Sequence, residues 1–165
     1  MKKRSFAPVV GRSPRVLILG SLPGEASLKL GQYYGHPRNR FWELVGAALG
    51  EDLRGLPYAK RLARLKARGV ALWDVVAEAE REGSLDSAIR GETHNAVLDL
   101  IRRRRIRAVY LNGRKAADSF RRACGAPEDI AVHLLPSSSP AHASLPWAEK
   151  LAAWNRLREY LPLSA

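Results

Sequence analysis

The stretch RVLILG, Arg15–Gly20, sets four large apolar residues in a row and closes them with a glycine. A short run that is apolar at every position suits a strand buried on both faces, as in a parallel sheet. Three similar runs follow it: Val70–Trp73, Arg107–Leu111 and Ala131–Leu135. Helical patterns separate them. Residues 40–49 (RFWELVGAAL) form one. Residues 58–68 form the next, with Leu62 and Leu65 on one face and Gly69 as the stop. Another opens at Glu92 or Thr93 and runs to the arginines at 102–105, which complement the dipole of a last turn. Residues 113–123 are closed by Gly125, and a helix from Trp147 to Tyr160 is ended by Pro162. Strands alternating with helices predict an α/β fold, a mostly parallel sheet covered on both faces. Ligands of such sheets bind beyond the carboxyl ends of the strands. That rule selects the loops 21–38, 74–87, 112–115 and 136–146.

Length and composition narrow the function. The 165 residues are expected to form one domain, 1–165, with 1–14 a flexible basic segment at its start. No apolar run reaches the length of a membrane span, and the basic start has no signal-peptide core. The single cysteine, Cys124, excludes an internal disulfide, and four histidines with one cysteine lack zinc-ligand spacing. The expectation is an intracellular, cytoplasmic monomer with no metal, no cofactor and no membrane partner. Lys plus Arg number 28 against 16 Asp plus Glu, for a net charge of +12. Residues 1–68 hold 14 basic and 4 acidic residues, so that part carries +10. A field of this kind attracts phosphate polyanions, and DNA is the expected partner.

The loops carry the chemistry. Gly20-Ser-Leu-Pro-Gly24 is neither a dinucleotide fingerprint nor a phosphate loop, so no nucleotide cofactor is expected. Its glycines let the backbone pass close to a flat ligand, or simply make a turn. Tyr33-Tyr-Gly-His-Pro-Arg-Asn-Arg-Phe-Trp42 sets four aromatic residues, an amide and two cations within ten positions. A site that stacks a base, reads its edge and holds phosphate needs all three, with Arg38 and Arg40 on the phosphates. Leu135-Pro-Ser-Ser-Ser-Pro-Ala-His142 is a stiff loop whose hydroxyls and N–H groups can grip phosphate, through Pro136–Ser139 and His142. Lys115 adds a cation from the loop between. A serine nucleophile with His142 as base is the poorer reading, because no G-x-S-x-G elbow is present. Asp74 stands at the predicted carboxyl end of the second strand. There it can orient water, stabilise a sugar cation, cap the loop or pair with an arginine.

Together these segments resemble the uracil-DNA glycosylase superfamily, and within it the hypoxanthine-DNA (deoxyinosine) glycosylases. The resemblance rests on GSLPG at 20–24, YYGHPRNRFW at 33–42, LWDVV with EREGSLDSAI at 72–89, NGRKAAD at 112–118 and LPSSSPAHAS at 135–144. It implies a three-layer α/β/α sandwich with a central four-stranded parallel sheet. It also implies hydrolysis, in base excision repair, of the N-glycosidic bond of a deaminated base flipped out of DNA. On that resemblance Gly20, Ser21, Leu22, Pro23 and Gly24 line the base pocket, Tyr34 stacks on the base, and Pro136–Ser138 begins the second DNA-gripping loop. Two departures matter. Leu22 stands where the mismatch-specific enzymes carry a water-positioning Asn, and Leu135 stands where many members carry a catalytic His. In the hypoxanthine family the Asn of the His-Pro-x-Asn segment is held to act, which here is Asn39. The expectation is release of hypoxanthine without strand cleavage, with Asn39 and Asp74 catalytic. A uracil-preferring glycosylase and a non-catalytic nucleic-acid-binding module of the same fold are the alternatives.

Overall fold

The computed structural model describes residues 2–162. Four parallel strands form the centre: β2 (Val16–Gly20), β3 (Val70–Asp74), β6 (Ala108–Asn112) and β7 (Ala131–Leu135), in the order β3-β2-β6-β7. Alternate residues of β2, β3 and β6 feed two separate cores, while the edge strand β7 joins only the first, through Ala131 and Leu135. Val16, Ile18, Val70, Leu72, Ala108 and Tyr110 face α2 (Phe41–Leu49), α3 (Tyr58–Ala67) and α6 (Trp147–Trp154). Leu17, Leu19, Ala71, Val109 and Leu111 face α4 (Val97–Arg103) and α5 (Arg114–Cys124). This is the expected three-layer α/β/α sandwich, and it explains why the strands are apolar at every position.

Around this frame the structure adds elements with weak sequence signals. A helix α1 (Glu25–Leu30) lies in the segment read as loop, ended by Gly31 in the left-handed region at φ 67°. A second, antiparallel sheet is built from β1 (Lys2–Arg4), β4 (Val76–Glu80) and β5 (Arg90–His94), in the order β1-β4-β5. Three expectations change as a result. The helix expected to open at Glu92 or Thr93 starts at Val97, because residues 90–94 pair with β4. The final α-helix stops at Trp154 and continues as a 3-10 turn over Asn155–Tyr160. The basic start, expected to be loose, contributes an edge strand: Lys2 and Arg4 pair with Glu78 at 2.9 and 3.0 Å, and Val9 bridges to Leu72. The carboxylates of β4 explain that ordering, since they meet the cations of β1 across the strand pair.

The arginines at 102–105 lie at the end of the sheet opposite the strand carboxyl ends. Arg103 pairs with Asp99 at 3.6 Å, and Arg104 donates to the carbonyl of Gly11 at 2.5 Å. They close α4 and hold the chain start, in line with the dipole reading.

An aromatic cluster joins the first core to the site. Phe41 stacks on Tyr34 with ring centroids 3.8 Å apart, and meets Trp42 and Trp154 edge-on at 4.9 and 5.8 Å. Phe41→Ala should cost about 3–5 kcal/mol of unfolding free energy, as full truncation of a buried aromatic does. Denaturant titration checks this; an unchanged midpoint would show that the cluster is not tightly packed.

Candidate active site

The strand order places the switch of direction between β2 and β6, and the carboxyl ends of the strands open there into a cleft of about 580 Å³. That is room enough for a nucleoside. Gly20–Gly24, Tyr34, Asn39, Asp74, Lys115, Ser137–Ser139 and His142 all line it. Arg38, Arg40 and Pro136 do not.

The floor is the register pair Gly20 and Asp74 at the ends of β2 and β3. A Cβ on Gly20 would stand 2.5 Å from Asp74 Oδ1 and 3.0 Å from the Tyr34 hydroxyl, so no side chain fits there. Asp74 is buried, and its Oδ2 has no hydrogen-bond partner. Burial pushes its carboxyl up to about 7; Arg81 opposes that rise and Asp86 adds to it. The Tyr34 hydroxyl is also buried without a hydrogen bond of good geometry, and burial together with the Asp74 charge raises it above the usual phenol range. Tyr34 adopts the left-handed backbone region at φ 54°, rare for a bulky residue, and the stack on Phe41 holds it there.

Asn39 is oriented by its own backbone turn. Its Oδ1 accepts the N–H of Phe41 at 3.0 Å, and its N–H donates to the carbonyl of His36 at 2.9 Å. The side-chain oxygen is thereby committed, and the amide NH2 is the part of Asn39 left for a ligand in the cleft.

The Pro-Ser loop is bound from three sides. Ser138 is buried: its N–H donates to Asn112 Oδ1 at 3.0 Å, and its hydroxyl accepts from Asn112 Nδ2 at 2.9 Å. Its carbonyl accepts the N–H of Arg40 at 3.1 Å. Ser138 therefore joins loops within the protein. Ser137 and Ser139 cap their own turns by accepting the N–H groups of Ser139 and Ala141. Beneath them the buried Lys150 donates to the carbonyls of Ser137 and His142, both at 2.8 Å, and Trp154 Nε1 donates to that of Pro136 at 2.9 Å.

Other expected contacts are also engaged within the protein. The Arg40 guanidinium pairs with Glu43 at 2.8 Å and lies 3.6 Å over the Trp147 ring. Lys115 pairs with Glu92, whose other oxygen takes a bond from Ser119 at 2.7 Å and lies 2.7 Å from the His94 ring. The Leu22 side chain packs with Val76, Ala79 and Ile89, so its place in the cleft is backbone. Arg38 is exposed, next in sequence to Asn39 of the cleft lining.

Sequence reasoning missed Arg81, Asn112 and the turn around Asp86. Arg81 is buried behind the GSLPG segment; it donates to the carbonyls of Leu22, at 3.4 Å, and Pro23. Ser21 donates to Asp86 Oδ1 at 2.6 Å. Asn112 had a signal in its place just after the third predicted strand. Arg81 and Asp86 lie in the EREGSLDSAI block that carried the resemblance, but nothing in that polar stretch marked these two residues until the fold set them behind GSLPG.

With this geometry in view, comparison with known proteins is decisive. Residues 8–158 match the model of the uracil DNA glycosylase superfamily. The chain belongs to that superfamily. It is 41% identical over 159 residues to a protein of Methanosarcina barkeri named hypoxanthine DNA glycosylase, covering 90% of this chain and 98% of that one. A Methanosarcina acetivorans protein of the same name is 43% identical over 143 residues, covering 86% and 89%. The solution NMR structure of a candidate uracil DNA glycosylase from Methanosarcina acetivorans superposes with a TM-score of 0.79 at 39% identity, covering 96% of this chain and 99% of that one.

Glu92 offers a test of the network beside the cleft. Burial opposes its ionisation, but bonds from Lys115, Ser119 and His94 outweigh that and hold it near 2, below the ordinary 4.5. A carboxylate held low stabilises the fold above about 4.5, and that contribution is lost as pH falls toward 2. Glu92→Gln should therefore lower the denaturant midpoint at neutral pH and reduce the further loss on acidification. Parallel acid limbs for the two proteins would refute the network.

Proposed function

We propose that the protein is a monofunctional DNA glycosylase that flips a deaminated purine from DNA, hypoxanthine above all, and hydrolyses its N-glycosidic bond. The observation that carries this reading is the committed geometry of Asn39: an amide NH2 offered to the cleft, beside a glycine-floored pocket. Cleavage builds negative charge on the departing base and positive charge on the sugar. A fixed donor at the base edge stabilises the first of these. The NH2 of Asn39 suits the acceptor atoms of hypoxanthine, O6, N3 and N7.

The remaining assignments follow from place and chemistry. Phe41 covers one face of the Tyr34 ring, which leaves the other for the flipped base. The backbone of Gly20–Gly24 lies against the base, stiffened from behind by Arg81 and Asp86. Leu22 brings no polar group that would hold a water beside a small pyrimidine, which favours the larger base. Duplex phosphates lie along the exposed cations of the rim, Arg38 first, and the loop 136–142 enters beside the lesion. Lys115 is held by Glu92, so no lysine is poised as a Schiff-base nucleophile. Hydrolysis without strand cleavage follows. The names of both Methanosarcina relatives support hypoxanthine. The description of the NMR structure supports uracil as the second reading. No helix among the described residues is long and apolar enough to cross a membrane, consistent with work on DNA by a monomer in the cytoplasm.

Base release from matched duplexes carrying deoxyinosine or deoxyuridine is the test. Hypoxanthine should leave faster than uracil, and adenine should not be released; faster uracil release would reverse the substrate assignment. Asn39→Ala should lower the single-turnover rate on deoxyinosine by about a hundred- to a thousandfold, as loss of one preorganised donor does, with DNA affinity nearly unchanged. An active Asn39→Ala would remove that residue from the chemistry.

A further inference from the structure

Two buried polar atoms at the floor of the cleft, Asp74 Oδ2 and the Tyr34 hydroxyl, make no hydrogen bond of good geometry within the protein, the Asn112 side chain being the one polar group near the hydroxyl that favours its ionised form. Native structures seldom leave such groups unmatched unless a ligand or water meets them. Both residues converge on Gly20, Asp74 through Oδ1 and Tyr34 through its hydroxyl, and all three line the cleft. Two carboxyl groups, Asp74 and Asp86, share this corner with one cation, Arg81, and Arg81 is itself turned to backbone carbonyls and lies 3.8 Å from Asp86. Asp86 also takes the Ser21 hydroxyl. Asp74 thus has neither a salt-bridge partner nor a hydrogen-bond donor at Oδ2. An ionised Asp74 would face the departing base, which is itself gaining electrons.

We propose that Asp74 acts as a neutral acid, its Oδ2–H donating to N7 of the flipped purine and passing the proton to the base as the glycosidic bond breaks. This deepens the reading of the cleft as a purine-excising site and rests on it. The N9–C1′ bond breaks with its electron pair moving onto the purine, and the Asp74 proton neutralises that charge at N7. Water adds to the sugar cation at C1′ and loses a proton to solvent, and solvent returns one to Asp74. A leaving group discharged in this way needs little activation of the water, which accords with Leu22 standing where a water-holding amide would otherwise be. Hypoxanthine has a ring nitrogen with a free lone pair to receive the proton. Uracil, joined through N1 and protonated at N3, has none.

The charge on Asp74 is set by burial first, then by Arg81, which favours the carboxylate, and Asp86, which opposes it. The carboxyl rises to about 7, so the acid is substantially present at neutral pH. The other ionisable residues lining the cleft are Tyr33, which feels the Asp74 charge, and His36, Arg114, Lys115, Asp118 and His142.

The experiment is the pH dependence of single-turnover hypoxanthine release at saturating enzyme, from about pH 5.5 to about 8.5, for the wild-type protein and Asp74→Asn. The wild-type rate should be level at low pH and fall about tenfold per unit above the midpoint. Asp74→Asn should lose about a hundred- to ten-thousandfold and show no such fall, with DNA affinity retained. A wild-type rate that rises with pH through this range would mean that Asp74 serves as a carboxylate, and would overturn the proposal without touching the glycosylase reading. So would an Asp74→Asn variant with the parent's rate and profile. Failure of the wild-type protein to release any base at any pH would remove the glycosylase reading, and the acid with it.

Discussion

Ser138 stands where three loops meet, and each of its polar groups is committed to a neighbour. Its N–H and hydroxyl close a reciprocal pair with Asn112 at the end of β6, and its carbonyl receives the N–H of Arg40. The Arg40 end of that link leads into α2, and the turn just before it fixes Asn39. One buried residue thereby locks the Pro-Ser loop, the His-Pro-Arg-Asn loop and the central sheet into a single body. Unpairing buried hydrogen-bonding groups of this kind costs about 1–3 kcal/mol each, so the three loops resist moving separately. A site that must hold a flipped base in fixed register needs that rigidity.

The same economy explains the arginines. Much of the +12 charge is engaged inside the protein. Glu51 holds Arg64 and Arg68 at 2.6 and 2.7 Å, and Glu43 holds Arg40 and Arg54. Arg104 and Arg158 donate to backbone carbonyls. These side chains order loops and helix ends, and the field that attracts DNA is the surplus left after that work. Arg38, exposed beside Asn39 in sequence, is part of that surplus.

How legible the molecule is in its sequence follows from which contacts are local. Of the four central strands, β7, at the sheet edge, leaves Val132 and Leu134 exposed; the other three are buried on both faces, so VLILG and its counterparts announce themselves as apolar runs. Strand β4 does not: its ladder with β5 shifts register between Val76 and Glu80, which breaks the alternation a half-buried strand would show. Residues 90–94, RGETH, carry no strand pattern and depend on β4 for theirs. Gly20, Asp74 and Asn39 were legible because each sits at a strand end or in an unusual loop. The support behind them was not. Arg81 reaches back 58 and 59 residues to Pro23 and Leu22, and Lys150 reaches back 13 to Ser137. Such pairings leave no trace in local composition. The internal partners of Ser138 and Lys115, Asn112 and Glu92, were hidden in the same way, because a hydroxyl or an ammonium in a loop looks free until its partner is seen.

In the proposed reaction a purine enters this cleft and meets Asn39 and Asp74 together. The decisive measurement is a crystal structure of the slow Asn39→Ala or Asp74→Asn variant bound to a duplex containing deoxyinosine. The account expects the hypoxanthine out of the stack, lying on Tyr34 against the backbone of Gly20–Gly24, with the retained one of the two side chains within hydrogen-bond distance of the base. A base left stacked in the duplex, or one extruded into the cleft with both positions turned away from it, would contradict the account.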